Sequence, residues 1–374
     1  MPVNDVIIVG GGLAGLTSAL HLLRAGLRVT VIERHPYPRH KVCGEYISNE
    51  VLPYLQWLEA DPAVLHPSRI ERVSISSVTG RTVEAALPLG GFGISRYVLD
   101  DFLMQKVRAA GGRVLEDTVT GISFMNDSFL ISMASGAKLN ARFVIGAYGK
   151  RAALDQELAR DFSSLKSPWL AIKCHYAGNF PDGLVALHNF MGGYCGVSKV
   201  EHNIINVCYL VSYDTFRKYK NIRTHQETVL YRNPHLKAVL ENSRPLFERP
   251  VSISQVSFAE KQKVDSHMLM TGDTAGLIHP LCGNGMAMAI HSAKIASEQL
   301  LSYMSGEIRS RHELEKNYTK AWKAAFEKRM TAGKLLSAVF RNQQLAAGIM
   351  KGLTFFPGLL PVIIRQTHGK PLNN

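Results

Sequence analysis

Cysteine is scarce in this chain: Cys43, Cys174, Cys195, Cys208 and Cys282 are the only five among 374 residues, and no two stand as a CxxC pair. That argues against a disulfide scaffold or a zinc cage and points to a reducing, cytoplasmic setting. No apolar run supplies the ~20 uninterrupted residues of a membrane-spanning helix. The best stretch, Val6 to Leu23, is cut by Gly10, Gly11, Gly12 and Gly15. The start MPVNDVIIVGGG has neither the basic residues nor the small-residue cleavage site of a secretory signal. The fourteen histidines include no HExxH, and no GxSxG nucleophile elbow occurs. No basic stretch is interleaved with aromatics, so neither a metal site nor a nucleic-acid partner is expected.

The composition, 46% hydrophobic and 20% charged, is that of an ordered chain with a large core. Asp5–Val9 is a short β-branched run that stops at glycine, as a buried parallel strand does. Leu13–Ala25 is rich in Ala and Leu and ends before Gly26, the pattern of a helix with a glycine cap. Arg28–Glu33 is a second strand and closes a βαβ unit. A helix over Val98–Ala110 and strands near Arg113–Glu116 and Phe143–Gly146 continue the pattern. From about Leu170 to Val256 short β-like runs alternate with Gly, Asn and Asp, with one helix expected near Thr224–Glu241. The first pattern returns at His267–Thr271 and leads into a long helix over Gly285–Tyr303. The expected fold is α/β, with a discontinuous Rossmann-like domain (1–70, 97–165 and 257–305). An inserted, mostly antiparallel sheet domain (71–96 and 166–256) and a helical C-terminal segment (306–374) complete it. That last segment holds twelve Lys/Arg against four Asp/Glu, a net +8 of the chain's +13.

Gly10-Gly11-Gly12-Leu13-Ala14-Gly15 fits GxGxxG at the strand-to-helix turn where that motif binds a dinucleotide. A diphosphate there meets the free N–H groups of a helix start. Glu33, with Arg34 beside it, ends the second strand where an acidic side chain holds ribose hydroxyls. NAD and FAD both use this unit. Gly272-Asp273-Thr274-Ala275-Gly276, followed by His279-Pro280 and Gly283-Asn284-Gly285-Met286, resembles the second FAD fingerprint of flavoprotein monooxygenases and reductases. With the motifs in this order over the first 300 or so residues, the chain resembles the p-hydroxybenzoate hydroxylase-like flavoproteins, and among them the geranylgeranyl reductase-like branch. The resemblance implies non-covalent FAD, with NAD(P)H or another reductant as electron donor. Gly10, Gly12, Leu13, Ala14, Gly15, Glu33, Arg34, Gly272, Asp273, Pro280, Gly283, Asn284, Gly285 and Met286 are its expected contacts.

Arg39-His40-Lys41-Val42-Cys43-Gly44-Glu45 resembles the loop on the flavin side in reductase-like members, which brings in Lys41, Cys43 and Gly44, with Cys43 the candidate for a catalytic role. Arg96, before a helix, and Val119, after Gly112, match further FAD contacts of the family. One departure stands out. Aromatic hydroxylases carry Asp-Gly where this chain has Tyr148-Gly149, which puts nicotinamide-driven hydroxylation in doubt. The W-x-W-x-I-P signature of tryptophan halogenases is absent, since Trp57, Trp169 and Trp322 stand alone. Three functions stay open. The first is hydride transfer at flavin N5 to or from an apolar unsaturated substrate (isoprenoid, polyene or aromatic). The second is monooxygenation through a flavin C4a-hydroperoxide, and the third a non-catalytic flavin protein. The expected partner is an apolar or aromatic, lipid-like small molecule. The basic C-terminal segment, with its apolar run Leu353–Ile364, suggests either peripheral contact with an anionic membrane or a helical cover whose apolar run is buried in the core.

Overall fold

Two sheets organise the chain, and a computed structural model describes residues 4–219, 221–341, 348–349, 352–353, 355 and 358–373. The first sheet runs in the order β16 (Val264–Asp265), β17 (Met268–Met270), β9 (Lys138–Gly146), β1 (Asn4–Val9), β2 (Val29–Glu33), β6 (Arg113–Glu116). From β17 to β6 all neighbours are parallel. A hairpin of β7 (Val119–Met125) and β8 (Ser128–Met133) adds antiparallel pairing to the first half of β9. Val6, Ile7 and Ile8 are fully buried, because a parallel strand is covered on both faces. The register sets Val9 opposite Ile32 and Gly146. Gly10, Glu33 and Ala147 therefore leave the sheet along one edge, the carboxyl edge where ligands of such sheets bind.

Five helices pack against the two sheets and one another. Helix α1 (Leu13–Arg24) has no β-branched run and stops at Ala25, followed by Gly26 at φ +81°. It is buried along most of its length, between the sheet and helices α2 (Arg96–Ala109) and α3 (Gly285–Met304). Each fully buried leucine there, such as Leu16 or Leu22, contributes about 1.5–3 kcal/mol. Helices α4 (Arg311–Arg341) and α5 (Leu359–Thr367) form the C-terminal segment.

The second sheet runs β14 (Arg244–Pro245), β10 (Trp169–Ala177), β13 (Ile205–Ser212), β12 (Gly193–Lys199), β11 (Gly183–Phe190), β4 (Ser68–Ser76), β5 (Thr82–Gly93), β3 (Tyr46–Ser48), with β15 (Val251–Ser254) also on β10. Only β11 and β4 pair in parallel. Strand pairing crosses the division expected after residue 70. The glycine-rich end of β5 pairs with both Tyr46–Ser48 and Ser68–Ile70, which places β3 and all of β4 in this sheet.

The single helix expected over Thr224–Glu241 is in fact two, Ile222–Thr228 and Pro234–Glu241, with a 3-10 turn at Leu230–Arg232 between them. Pro234 forces its predecessor out of the helical region, and the Asn233 side chain caps the new start at the His235 and Leu236 N–H groups. The apolar C-terminal run is half inside. Leu353, Leu360 and Ile364 are buried against Val73, Val83 and Leu87 of the second sheet. No helix among the described residues is long and apolar enough to cross a membrane.

Candidate active site

Between the two sheets lies a cavity of about 930 Å³, at the large end of the range for ligand sites. Its first half is backbone and charge: Gly10, Gly12, Leu13 and Ala14 at the start of α1, then Glu33, Arg34, Arg96, Asp273 and the 39–45 loop. Its second half is apolar, from Val73, Ile75, Leu87, Val185, Leu187 and Val197 of the second sheet and Leu360, Ile363 and Ile364 of α5.

The glycine turn is built for close approach. Gly10 holds φ +107°, and a Cβ there would stand 2.4 Å from the Ala147 carbonyl oxygen. Helix α1 begins without a side-chain cap and without an acidic residue in its first turn, so its leading N–H groups are open to an anion. Glu33 accepts from the Gly11 N–H at 2.8 Å and from Arg39 at 3.2 Å, which fixes the carboxylate at the cavity wall. Tyr37 donates its hydroxyl to the Gly11 carbonyl from the far side. Around Gly44, nothing lies within 4 Å of where a Cβ would be, so this backbone faces open cavity. These features fit FAD, a long dinucleotide needing an anion cradle, a ribose acceptor and a flat, unobstructed wall.

All but two of the expected site residues line this one cavity: Lys41, Cys43, Val119, Gly272, Pro280, Gly283, Gly285 and Met286 join those named above. Gly15 and Asn284 stand outside it. Gly15 is absent from the wall because it packs α1 onto β1: a Cβ there would lie 1.9 Å from the Gly10 carbonyl oxygen. Asn284 is wholly buried behind the wall as the residue preceding α3. His279 also stands outside, with its ring among Trp169, Tyr194 and Phe258. Lys150 and Arg151 also line the wall, each tied to carbonyls, Lys150 to Val42 and Arg151 to Ser163 and Leu165. Tyr148, the departure from the hydroxylase motif, receives a hydrogen bond from Arg160 at 3.3 Å and donates to the Met270 sulfur.

Three networks supporting the site carry no motif. Arg96 and Lys41 share the buried Asp100 carboxylate, at 2.7 Å each. Burial alone would push the Asp100 carboxyl up, yet the two cations hold it below its ordinary value. Glu45, fully buried at φ +55°, pairs with Lys173 at 2.5 Å and His175 at 2.7 Å and accepts the Arg96 N–H at 2.8 Å. These partners outweigh the burial that would raise its carboxyl, and they pin the residue next to Cys43-Gly44. Asn206 donates to the carbonyls of Cys43 and Gly44 themselves.

The third network is a cationic clamp on the second fingerprint. Lys261 donates to the Asp273 carbonyl at 2.8 Å, Arg160 to that of Thr274 and Lys263 to that of Ala275, both at 3.1 Å. All three cations are buried. Burial lowers both lysines to about 8. Sequence reading had no handle on Lys261 or Lys263 beyond their x-spacing before a buried strand.

Comparison with known proteins agrees with this geometry. Residues 5–44 match the family described as FAD dependent oxidoreductase. The chain is 25% identical over 333 residues to digeranylgeranylglycerophospholipid reductase 1 of Methanothermobacter thermautotrophicus, covering 82% of this chain and 79% of that protein. A geranylgeranyl bacteriochlorophyll reductase-like protein of Thermoplasma acidophilum shares the fold at TM-score 0.74 and 20% identity, over 91% of this chain and 88% of that one. The flavin-dependent brominase Bmp2 shares it at TM-score 0.79 and 17% identity, over 97% and 93%. The chain is thus similar to FAD-dependent oxidoreductases, over residues 5–44 by the family match and over most of its length by likeness to a digeranylgeranylglycerophospholipid reductase, and it shares its fold with a flavin-dependent brominase.

Proposed function

We propose that the protein reduces a double bond of an apolar, isoprenoid-like substrate by hydride transfer from FAD. The observation that carries this reading is the second half of the cavity. Among the described residues, the second sheet and the C-terminal segment contribute no Asp, Glu, Lys or Arg to its wall. An apolar chain loses its water there without stranding a charge. The relation to a digeranylgeranylglycerophospholipid reductase supports the same substrate class.

FAD supplies the two-electron chemistry when bound. The open N–H groups at the start of α1 would bind its diphosphate, Glu33 its ribose, and Asp273 its ribityl chain. The backbone around Gly283–Met286 and the Cys43-Gly44 loop would hold the ring, and the N–H groups at the start of α3 would favour negative charge there. The apolar wall excludes water from the reacting carbons. Tyr148 replaces the hydroxylase Asp, which favours a reductant other than NAD(P)H delivering electrons directly.

The test is anaerobic photoreduction of the flavin-loaded protein followed by mixing with a polyprenyl lipid. Flavin reoxidation with a product that gains two hydrogens is expected. No reoxidation by unsaturated lipids, together with oxygenation of an aromatic when air is admitted, would overturn the reading in favour of a monooxygenase.

A further inference from the structure

We propose that the outer face of the C-terminal segment docks on an anionic lipid bilayer and lets the cavity draw its substrate from the membrane, an inference that rests on the apolar substrate proposed above. Helix α5 is apolar on two sides. Its inner side, Leu360 and Ile364, is buried on the second sheet. Its outer side leaves Leu359 and Val362, three residues apart, 51% and 50% exposed.

These two do not stand alone. Leu335, Ile349 and Phe355 are 67%, 40% and 69% exposed, so five of the twelve large exposed hydrophobics among the described residues fall in this one segment. Scattered single hydrophobics are ordinary on a protein surface, whereas a gathered set marks a contact site. Leu335 and Ile349 also line the cavity. Two members of this exposed set thus stand on the cavity wall itself, so the same segment offers apolar side chains both to the outside and to the cavity.

Charge decides the occupant. From Lys316 to Asn374 the chain carries ten Lys/Arg and a single carboxylate, Glu327. Exposed Lys334 stands beside Leu335, and exposed Arg365 one turn after Val362. A second copy would bring the same excess of positive charge face to face. An anionic lipid surface complements it, and each basic side chain near such a surface strengthens partitioning about fivefold. The apolar run Leu353–Ile364 is too short to span, so the attachment lies in the interface plane.

Flotation of the flavin-loaded full chain with vesicles tests this, using phosphatidylcholine alone and an equal mixture with phosphatidylglycerol. Flotation with the anionic vesicles at low salt, fading at high salt and absent with the neutral ones, is expected. The pair Leu359→Ser and Val362→Ser should cut the bound fraction at least tenfold, and Arg365→Gln with Lys370→Gln about twentyfold, while both variants keep their yellow colour and unfolding temperature. A yellow wild-type protein that stays at the bottom with anionic vesicles overturns the proposal. So does a dimer that the Leu359→Ser and Val362→Ser pair converts to monomer, since a second copy would then be the occupant. The vesicles contain no polyprenyl lipid, so flotation reads docking alone, and a protein that floats yet reduces no polyprenyl lipid in the photoreduction assay refutes the reductase reading and leaves the docking surface standing.

Discussion

Glu45 offers the sharpest test of how the second sheet holds the cofactor-side loop. It is wholly buried and joins Lys173 and His175 of β10 to the segment that carries Cys43 and Gly44. Replacing Glu45 by Gln keeps the shape but leaves Lys173, also wholly buried, without its carboxylate. Removing one partner of a buried pair costs about 3–5 kcal/mol, because the remaining charge stays desolvated. Lys173→Met strands the carboxylate instead, though the His175 ring and the Arg96 N–H still face it, so the cost should fall at the low end of that range. The double variant carries neither charge. Its cost should be smaller than the sum of the two by ~2 kcal/mol or more, the coupling expected of residues in direct contact. Urea unfolding of the four flavin-loaded proteins, followed by circular dichroism, measures this cycle. Glu45→Gln should also change the flavin absorption envelope, since the residue holds the adjoining Cys43-Gly44 backbone. A Glu45→Gln protein that unfolds at the wild-type midpoint, or a cycle that is additive, would refute this role of the Glu45–Lys173 pair.

Gly44→Val should fold as well as wild type, because nothing lies within 4 Å of its Cβ position, yet it should weaken FAD at least ~10-fold by filling the wall that the ring needs. Equal FAD affinity by fluorescence titration would remove this loop from the site. Lys261→Met should raise the FAD dissociation constant by about tenfold, for it deletes a charge-assisted bond worth ~1.5–3 kcal/mol to the Asp273 carbonyl. Lys261→Arg should recover part of that loss, and unchanged FAD retention in the Met variant would show that the loop holds itself. Stability should fall on acidification. Burial lowers His188 to about 3 and His21 to about 4, so between pH 6.5 and those values the unfolded chain takes up protons that the folded chain refuses. Each histidine then costs about 1.4 kcal/mol per pH unit. A flat unfolding free energy from pH 6.5 to 4.5 would contradict this, and His188→Gln should reduce the slope.

Local backbone demands explain what could be read directly. Only glycine tolerates the φ of +107° at Gly10 and the close approach of Gly15 to the Gly10 carbonyl, so the turn at the end of β1 is written in residue type. The same holds for the β-branched runs of β1 and β2, which are buried on both faces, and for the second fingerprint, whose Gly272 and Gly283 both lie at positive φ. Other local signals were present but passed over. Asn126 and Asp127, both at positive φ, make the tight turn between β7 and β8, and Pro234 divides a helix that hydrophobic spacing alone joined.

What the tertiary structure alone decided is which charges meet. Glu45 and Lys173 are 128 residues apart, and Lys41 reaches Asp100 from a loop outside the helix that carries it. In sequence each is an ordinary ionisable residue of the kind that usually stays in water. Their burial becomes tolerable only once two sheets close around the cavity and bring opposite charges within 3 Å. The same closure set the two sides of α5, apolar toward the cavity and apolar outward. No periodicity in Leu359–Ile364 could divide one from the other, because Leu359, Leu360, Val362, Ile363 and Ile364 are each hydrophobic enough for either. Backbone conformation is a property of neighbours along the chain and is legible in residue type, whereas pairing of buried charge and the direction a helix faces belong to neighbours in space.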